Sequence, residues 1–333
     1  MKHSEGTKEE LGRWKLHITR HDFIGQYIYP MLGAKSSNGV ECEATVVQDT
    51  GTGRLTLRYY FGDGKTIYAK LYSDELGAHS YRVMKELWDR GFGYDSLYQV
   101  PEPLAFLPEH NLVLMRGVGG APVGAALNGG GSIDLIEGVR QAARWLGFLH
   151  RSSIRIGEPE PEWDSLKTFR VCVRLIKAAA AGPEQRSLLL DLMHLLKDKI
   201  RNLPEKRPIV QTHGRYHHEH VFISPSAIAV IDLDRSRPSD PAKDSAEFVR
   251  VLRLSAFKSG VDMNRAREAT SAFLQEYLSQ VPEAAQGLPY YWSSFILLSL
   301  FGFMKRFRSG DPRWQSLMDF HLREIEQAME IRI

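Results

Sequence analysis

The first third of the chain alternates apolar and polar residues over short runs, and the period then lengthens. VECEATVV (Val40–Val47), RLTLRYYF (Arg54–Phe61) and TIYAKLY (Thr66–Tyr72) are rich in β-branched and aromatic residues, and QDTGTG and GDGK part them. Such residues suit a pleated, half-buried surface, and short polar runs with Gly and Asp suit turns. Three consecutive strands of this kind predict an antiparallel meander. In DELGAHSYRVMKELWDRGF (Asp74–Phe92), Leu76, Met84, Leu87 and Trp88 follow a helical spacing, with Asp74 as the cap and Gly91 near the stop. VPEPLAFLPEHNLVLMRGVGG (Val100–Gly120) predicts two short strands about a turn, ending at a Gly-rich hinge.

The remainder has the longer period. Leu135, Val139, Ala142, Leu146 and Leu149 share one helix face, and further helices are expected near 166–180, 184–202, 243–257, 264–279, 291–308 and 314–330. One β interruption breaks this run: RPIVQTHG, HVFIS and AIAVIDLD, joined by short polar turns. The expected architecture is α+β and two-lobed, with a small antiparallel β-rich lobe over Met1–Met115 and a larger helical lobe over Arg116–Ile333. A cleft between two such lobes is the natural place for a ligand.

Composition narrows the function classes. The 333 residues are 43% hydrophobic and 25% charged, as in ordinary globular proteins, and the formal net charge is only +3. No block of Lys and Arg stands out, so nucleic acid is not an expected partner. Cys42 and Cys172 lie far apart without metal-binding spacing, which fits a reduced, cytoplasmic chain. The N-terminus lacks a signal-peptide core, and the apolar stretch Tyr290–Phe303 is too short to span a bilayer. The oligomeric state is left open.

The segment VIDLDRSRPSDPAKDSA (Val230–Ala246), the preceding His213–Gly214, and the lysine of KLY (Lys70) together resemble the aminoglycoside phosphotransferase and choline kinase group of the protein-kinase-like superfamily. Its usual order is a hydrophobic run, H-G-D-x-x-x-x-N, a short hairpin, I-D-x-x, and D-x-x-x-D. LVLMRGVGG (Leu112–Gly120), with Met115, resembles the hinge that receives adenine, and ARWLGFLHRS (Ala143–Ser152) resembles the helix before the catalytic region. The resemblance implies a kinase-like fold, ATP as cofactor with Mg²⁺ or Mn²⁺, and a small-molecule hydroxyl as acceptor.

Phosphoryl transfer rests on positioning and on charge stabilisation. The resemblance gives Lys70 the nucleotide phosphates; the bland alternative is a solvated lysine on an edge strand. Asp232 emerges after the apolar run AIAVI, where a carboxylate needs a partner, and a hard cation is one. Asp234 is either a second metal ligand or a solvent-facing acid. Asp240, before Pro241, suits a helix N-cap, and Asp244 matches the family acid that ties down the catalytic loop.

The departures from the pattern are equally specific. The base position holds Arg215 and the Asn position holds His220. Arg cannot accept a proton at neutral pH, but it can pin a phosphate or pair with Asp232. His220 is a candidate metal ligand, better suited to Zn²⁺ or Mn²⁺ than to Mg²⁺. His217 and His218 are polar loop residues or replacements for the lost base. The helix glutamate that pairs the lysine falls near Ser80 or Tyr81, with Glu75 and Glu86 the nearest acids. Gly51–Gly53 is either a phosphate loop or a hairpin turn. Two functions follow: an ATP-dependent phosphotransferase with a displaced base, or a pseudokinase that binds nucleotide or a partner without turnover. A zinc site built from His213, His217, His218 and His220 is a third, weaker reading, because their spacing matches no zinc motif.

Overall fold

The structure is a computed structural model. It describes residues 17–32, 41–50, 53–130, 133–160, scattered positions between 170 and 198, 207–306 and 313–330. The principal elements are β1 (Cys42–Asp49), β2 (Arg54–Phe61), β3 (Thr66–Tyr72), α1 (Leu76–Leu87), β4 (Tyr98–Gln99), β5 (Pro103–Leu107), β6 (Leu112–Arg116), β7 (Ala121–Pro122), α2 (Val123–Leu127), α3 (Leu135–Arg151), β8 (Val210–Thr212), β9 (Val221–Ile223), β10 (Ile228–Val230), β11 (Arg237–Ser239), α4 (Ala242–Lys258), α5 (Met263–Gln280), α6 (Leu288–Arg306) and α7 (Trp314–Glu330). The chain divides into two compact units, Met1–Gly120 with Ser224–Arg235, and Ala121–Ile223 with Ser236–Ile333.

The first unit is built on an antiparallel sheet of order β1-β2-β3-β6-β5. Alternation along β2 and β3 sends Leu55, Leu57, Tyr59, Phe61, Ile67, Ala69 and Leu71 into one core, where Ile18, Phe23, Ile24 and Ile28 cover them. The period of two therefore turns Arg54 and Lys70 to the opposite face. The lysine lies on the central strand, paired with Thr56 on one side and Val113 on the other, and not on an edge. β10 adds a parallel pairing with β4.

Two expected boundaries move. The helix foreseen over 74–92 ends at Leu87, and Trp88–Phe92 forms a wider turn in which Gly91 takes φ +107°. Asp74 caps from just outside, its Oδ1 accepting from Leu76 N–H at 3.2 Å. The strand foreseen in AIAVIDLD stops at Val230, and Asp232 takes φ +68°, a left-handed conformation rarely adopted outside glycine.

The second unit is mostly helical. α3 packs on α5, α4 on α6, and α6 on α7. Period-3.6 patterning accounts for α3, whose Leu135, Val139, Ala142, Leu146 and Leu149 are all buried. Asp134 caps it through Ile136 and Glu137 N–H groups at 2.9 and 3.1 Å. Two short antiparallel pairings, β8 with β11 and β7 with β9, frame the loop from His213 to His220. The helices expected at 166–180 and 184–202 lie almost wholly outside the described residues. Among the described residues no helix is long and apolar enough to cross a membrane.

Candidate functional site

In the first unit the structure brings Lys70, Asp232 and Asp234 together. Lys70 Nζ pairs with Asp232 Oδ1 in a short contact and with Asp234 Oδ2 at 2.7 Å. The ammonium side chain is only 11% exposed. A chain reversal at Asp232, followed by one helical turn at Leu233–Arg235, sets both carboxylates against a single lysine. Backbone held at positive φ on a non-glycine residue costs about 1–3 kcal/mol and persists where surroundings over-determine it. Here the ion pair to Lys70 supplies part of that restraint.

Asp234 is buried and is not the solvent-facing acid that was one of its two expected roles. Its Oδ1 accepts from the Tyr72 hydroxyl at 2.6 Å and from Ser80 Oγ at 3.0 Å. Its Oδ2 takes Arg54 Nη1 at 3.2 Å as well as Lys70. Four donors meet a carboxylate's roughly four lone-pair sites. Burial, and then the negative charge of Asp234, push the Tyr72 phenol far above its ordinary range, so it remains a donor. Sequence reasoning singled out neither Arg54 nor Tyr72. Both were legible in the alternation, because Arg54 and Tyr72 are cross-strand partners on the face that carries Lys70.

The helix position expected to hold an acid holds Ser80, which reaches Asp234, while Tyr81 stacks on Phe106 with ring centroids 6.1 Å apart. Met115 sits opposite Tyr68, on the sheet face that carries Lys70. Gly51 lies outside the described residues. Gly53 takes φ +125° with its carbonyl accepting from Ser73 N–H at 2.9 Å, and a Cβ there would meet Ser73 Oγ at 2.1 Å.

In the second unit, Asp244 holds the start of the His213–His220 loop, as its place in the sequence led us to expect. One oxygen accepts from His213 N–H at 2.6 Å and the other from Gly214 N–H at 2.9 Å. His150 bridges Asp244, 3.1 Å from its Nε2, and the Tyr277 hydroxyl, 2.7 Å from its Nδ1. Burial alone would raise the Asp244 carboxyl, but the hydrogen bond and charge of His150, with His213, hold it below the usual carboxylate value. Gly214 needs φ +80° to present both N–H groups to one carboxylate. Tyr216 anchors the next turn, stacked on Trp145 at 5.9 Å and donating to Ala142 O at 2.7 Å. Asp240 stands two residues before α4, next to the N-cap Pro241, and accepts from Ala242 N–H at 2.9 Å, an end-of-helix role shifted by one position from the expected N-cap.

Beyond those anchors the loop gathers imidazoles. The rings of His217 and His220 lie tilted at 38° with centroids 3.6 Å apart, and His213 stacks on His220 at 5.7 Å. His220 Nδ1 donates to Arg215 O at 3.2 Å. The side chain of Arg215 is exposed. His217 and His218 are buried; Nδ1 of the first and both nitrogens of the second lack a hydrogen-bond partner, although His218 Nε2 stands 3.5 Å from Glu219 Oε1. Burial, and then the neighbouring histidines, lower His217 to about 2, and burial lowers His218 to about 4. Both are neutral at pH 7. Among the described residues no three His, Cys, Asp or Glu side chains form a group that could hold a metal ion.

With this geometry in hand, the comparisons with known proteins are specific. The family model described as "Phosphotransferase enzyme family" matches residues 46–288. No curated protein matches the sequence. Solved structures share the fold at low identity. A spectinomycin phosphotransferase in complex with ADP and its antibiotic is 13% identical with a TM-score of 0.59, covering 88% of this chain and 94% of that one. An amicoumacin kinase in complex with AMP-PNP, Ca²⁺ and Ami is 14% identical with a TM-score of 0.58, covering 92% and 96%. A choline/ethanolamine kinase family protein from Mesorhizobium loti is 14% identical with a TM-score of 0.52, covering 93% of each chain.

Proposed function

The chain belongs to the phosphotransferase enzyme family, and from that premise we propose that it is an ATP-dependent phosphotransferase acting on a hydroxyl of a small molecule. One observation carries the reading: the Lys70 ammonium and the Asp232 carboxylate meet at the end of the central strand, with Asp232 held at φ +68°. An ammonium beside a carboxylate is what a nucleotide's phosphates and their divalent ion require. In this reading Lys70 holds phosphate oxygens, and the strand around Met115 receives the base. Asp232 is the hard oxygen donor for Mg²⁺ or Mn²⁺. A site with one carboxylate fits such an ion, because Mg²⁺ takes its other ligands from water and substrate phosphates. The ion, when bound, offsets phosphate charge. The reading places the protein in the cytoplasm, where ATP is supplied.

The acceptor's proton needs a base. Arg215 stands at the base position and offers charge, not basicity. His217 and His218 are unprotonated at pH 7, but pKa values of about 2 and about 4 make them weak bases, since proton transfer is most efficient from a base with a pKa near the working pH. This observation favours the second reading, a pseudokinase that binds nucleotide without transferring phosphate. A thermal-shift measurement with ATP and Mg²⁺ or Mn²⁺ tests the shared half: at a hundredfold excess over Kd the folded state gains about 2.7 kcal/mol. Lys70→Ala is expected to abolish that gain, and an equal shift in parent and variant would remove Lys70 from the nucleotide site. ADP release over a panel of small hydroxyl compounds, with mass detection of phosphorylated product, separates the enzyme from the pseudokinase.

A further inference from the structure

We propose that Asp234 is the residue that positions Lys70, a carboxylate supplied from the turn after β10 to a lysine that no acidic residue of helix α1 reaches. The proposal rests on the nucleotide reading above for its consequence, though not for its geometry. A nucleotide-binding lysine has to be held in one orientation, and an ion pair to a fixed carboxylate is the simplest device for doing so. Neither acid of the α1 region, Glu75 or Glu86, is a partner of Lys70 among the ion pairs of the described residues. The helix instead offers the Ser80 hydroxyl, which donates to Asp234 at 3.0 Å. The carboxylate and the hydroxyl thus sit side by side, one on the turn and one on the helix.

The two aspartates that flank Lys70 are not equivalent. Asp234 is fixed on all sides: Tyr72 and Ser80 bind one oxygen, and Arg54 and Lys70 bind the other. Its side chain is 4% exposed, against 18% for Asp232. Entering a metal shell would require Asp234 to give up donors in a buried setting, where an unpaired donor costs about 1–3 kcal/mol. Asp232 makes a similar move at less cost, because it is more open to solvent. Asp234 is therefore the constant partner of the lysine, and Asp232 is the one that exchanges Lys70 for a cation when phosphates arrive. Arg54 completes the arrangement as a second cation against the buried carboxylate.

The decisive test moves the carboxylate from the turn to the helix. Four proteins are compared: the parent, Asp234→Ser, Asp234→Asn, and the exchange Ser80→Asp with Asp234→Ser. Two quantities are read. One is the affinity for ATP with Mg²⁺ by calorimetry. The other is the rate at which a small amine-reactive ester labels Lys70 in the ligand-free protein, followed by mass spectrometry. Asp234→Ser is expected to weaken ATP binding at least tenfold and to label Lys70 at least threefold faster. The exchange is expected to return both to within about threefold of the parent, which a merely structural defect would not do. Should Asp234→Ser not fold, Asp234→Asn keeps the shape and gives the same two readouts. The proposal is overturned if the folded Asp234 variants match the parent in both, or if the exchange folds with the parent's melting temperature yet is no better than Asp234→Ser. Should the parent itself bind no ATP with Mg²⁺, the nucleotide reading fails and the labelling rates alone decide whether Asp234 holds Lys70.

Discussion

The turn after β10 and the loop after β8 depart from the family pattern in different ways. Around Lys70 the missing helix acid is made good: Ser80 stands in its place, and Asp234 brings a carboxylate that four donors satisfy. In the His213–His220 loop the substitutions are not made good. Asp244 and Tyr216 hold its start firmly, but Arg215 replaces an acid with a cation, and His217 and His218 carry buried nitrogens without partners. A buried charge that is lost leaves its former partners exposed to the full desolvation penalty, so a change there is compensated or the fold suffers. A loop residue that serves only the reaction is under no such demand. On the function proposed above, the first region serves binding and the second turnover.

The sharpest way to break this contrast is to restore the loop. Arg215→Asp with His220→Asn recreates the family pattern at both positions. General-base catalysis is typically worth about 10²–10⁴-fold, so ATP turnover with an acceptor is expected to rise within that range. A double variant that binds ATP and stays as slow as the parent would show that the loss extends beyond one loop, and the pseudokinase reading would then stand. A parent that already turns over at about 1–100 s⁻¹, the usual range for kinases, would show that Arg215 is no obstacle.

Next in size is Asp244. It is 1% exposed, accepts two backbone N–H groups and pairs with His150. Asp244→Ala strands these donors together, and removing one member of such a buried set costs about 3–5 kcal/mol. Urea denaturation should show a loss of this size with an unchanged slope. A loss under 1 kcal/mol would mean that the start of the loop is held chiefly by Tyr216.

Acid should then act through the buried histidines. His217, His218 and His321 have folded pKa values lowered by burial to about 2, about 4 and about 4. The unfolded chain takes up protons near 6.5 while the folded chain refuses them, so stability is complete above that value and is lost as pH falls below it. By pH 5 each of these histidines is expected to remove on the order of 2 kcal/mol. Asp244, whose carboxyl is held low, adds a loss in the same direction at still lower pH. Denaturation midpoints measured between pH 7.5 and 5 should fall steeply. A flat profile would mean that the imidazoles reach water.

Much of this was legible in the sequence, and the parts that were not share a cause. Alternation found β2 and β3 to the residue, and ordered motifs singled out Lys70 and Asp232, which the structure pairs, and Asp244, which it sets against the backbone of His213 and Gly214. What escaped was set by backbone reversals. The apolar run AIAVI put Asp232 at a strand end and left open whether the strand persists to Asp234, whereas the left-handed conformation at Asp232 turns the chain and brings Asp234 against the lysine. Propensity carries no signal for a strained aspartate, because its conformation is imposed by tertiary partners. Residues 224–235 belong with the first unit, where β10 pairs with β4, although their sequence neighbours belong to the second.

The smallest expected effect is the most direct probe of the loop. His218 is fully buried, and neither ring nitrogen has a hydrogen-bond partner. Replacing a satisfied polar group by an apolar one strands its partner, but replacing an unsatisfied one strands nothing and removes a desolvation penalty. His218→Leu has comparable bulk, so its stability at pH 7.5 should lie within about 0.5 kcal/mol of the parent, the range of an ordinary tolerated substitution. Its acid sensitivity should fall by one histidine's share, about 2 kcal/mol at pH 5. If stability is kept and turnover is also kept, His218 is packing alone. If stability is kept while turnover collapses and ATP affinity holds, the unpartnered imidazole is the displaced base, and the uncompensated loop is the working half of the enzyme after all.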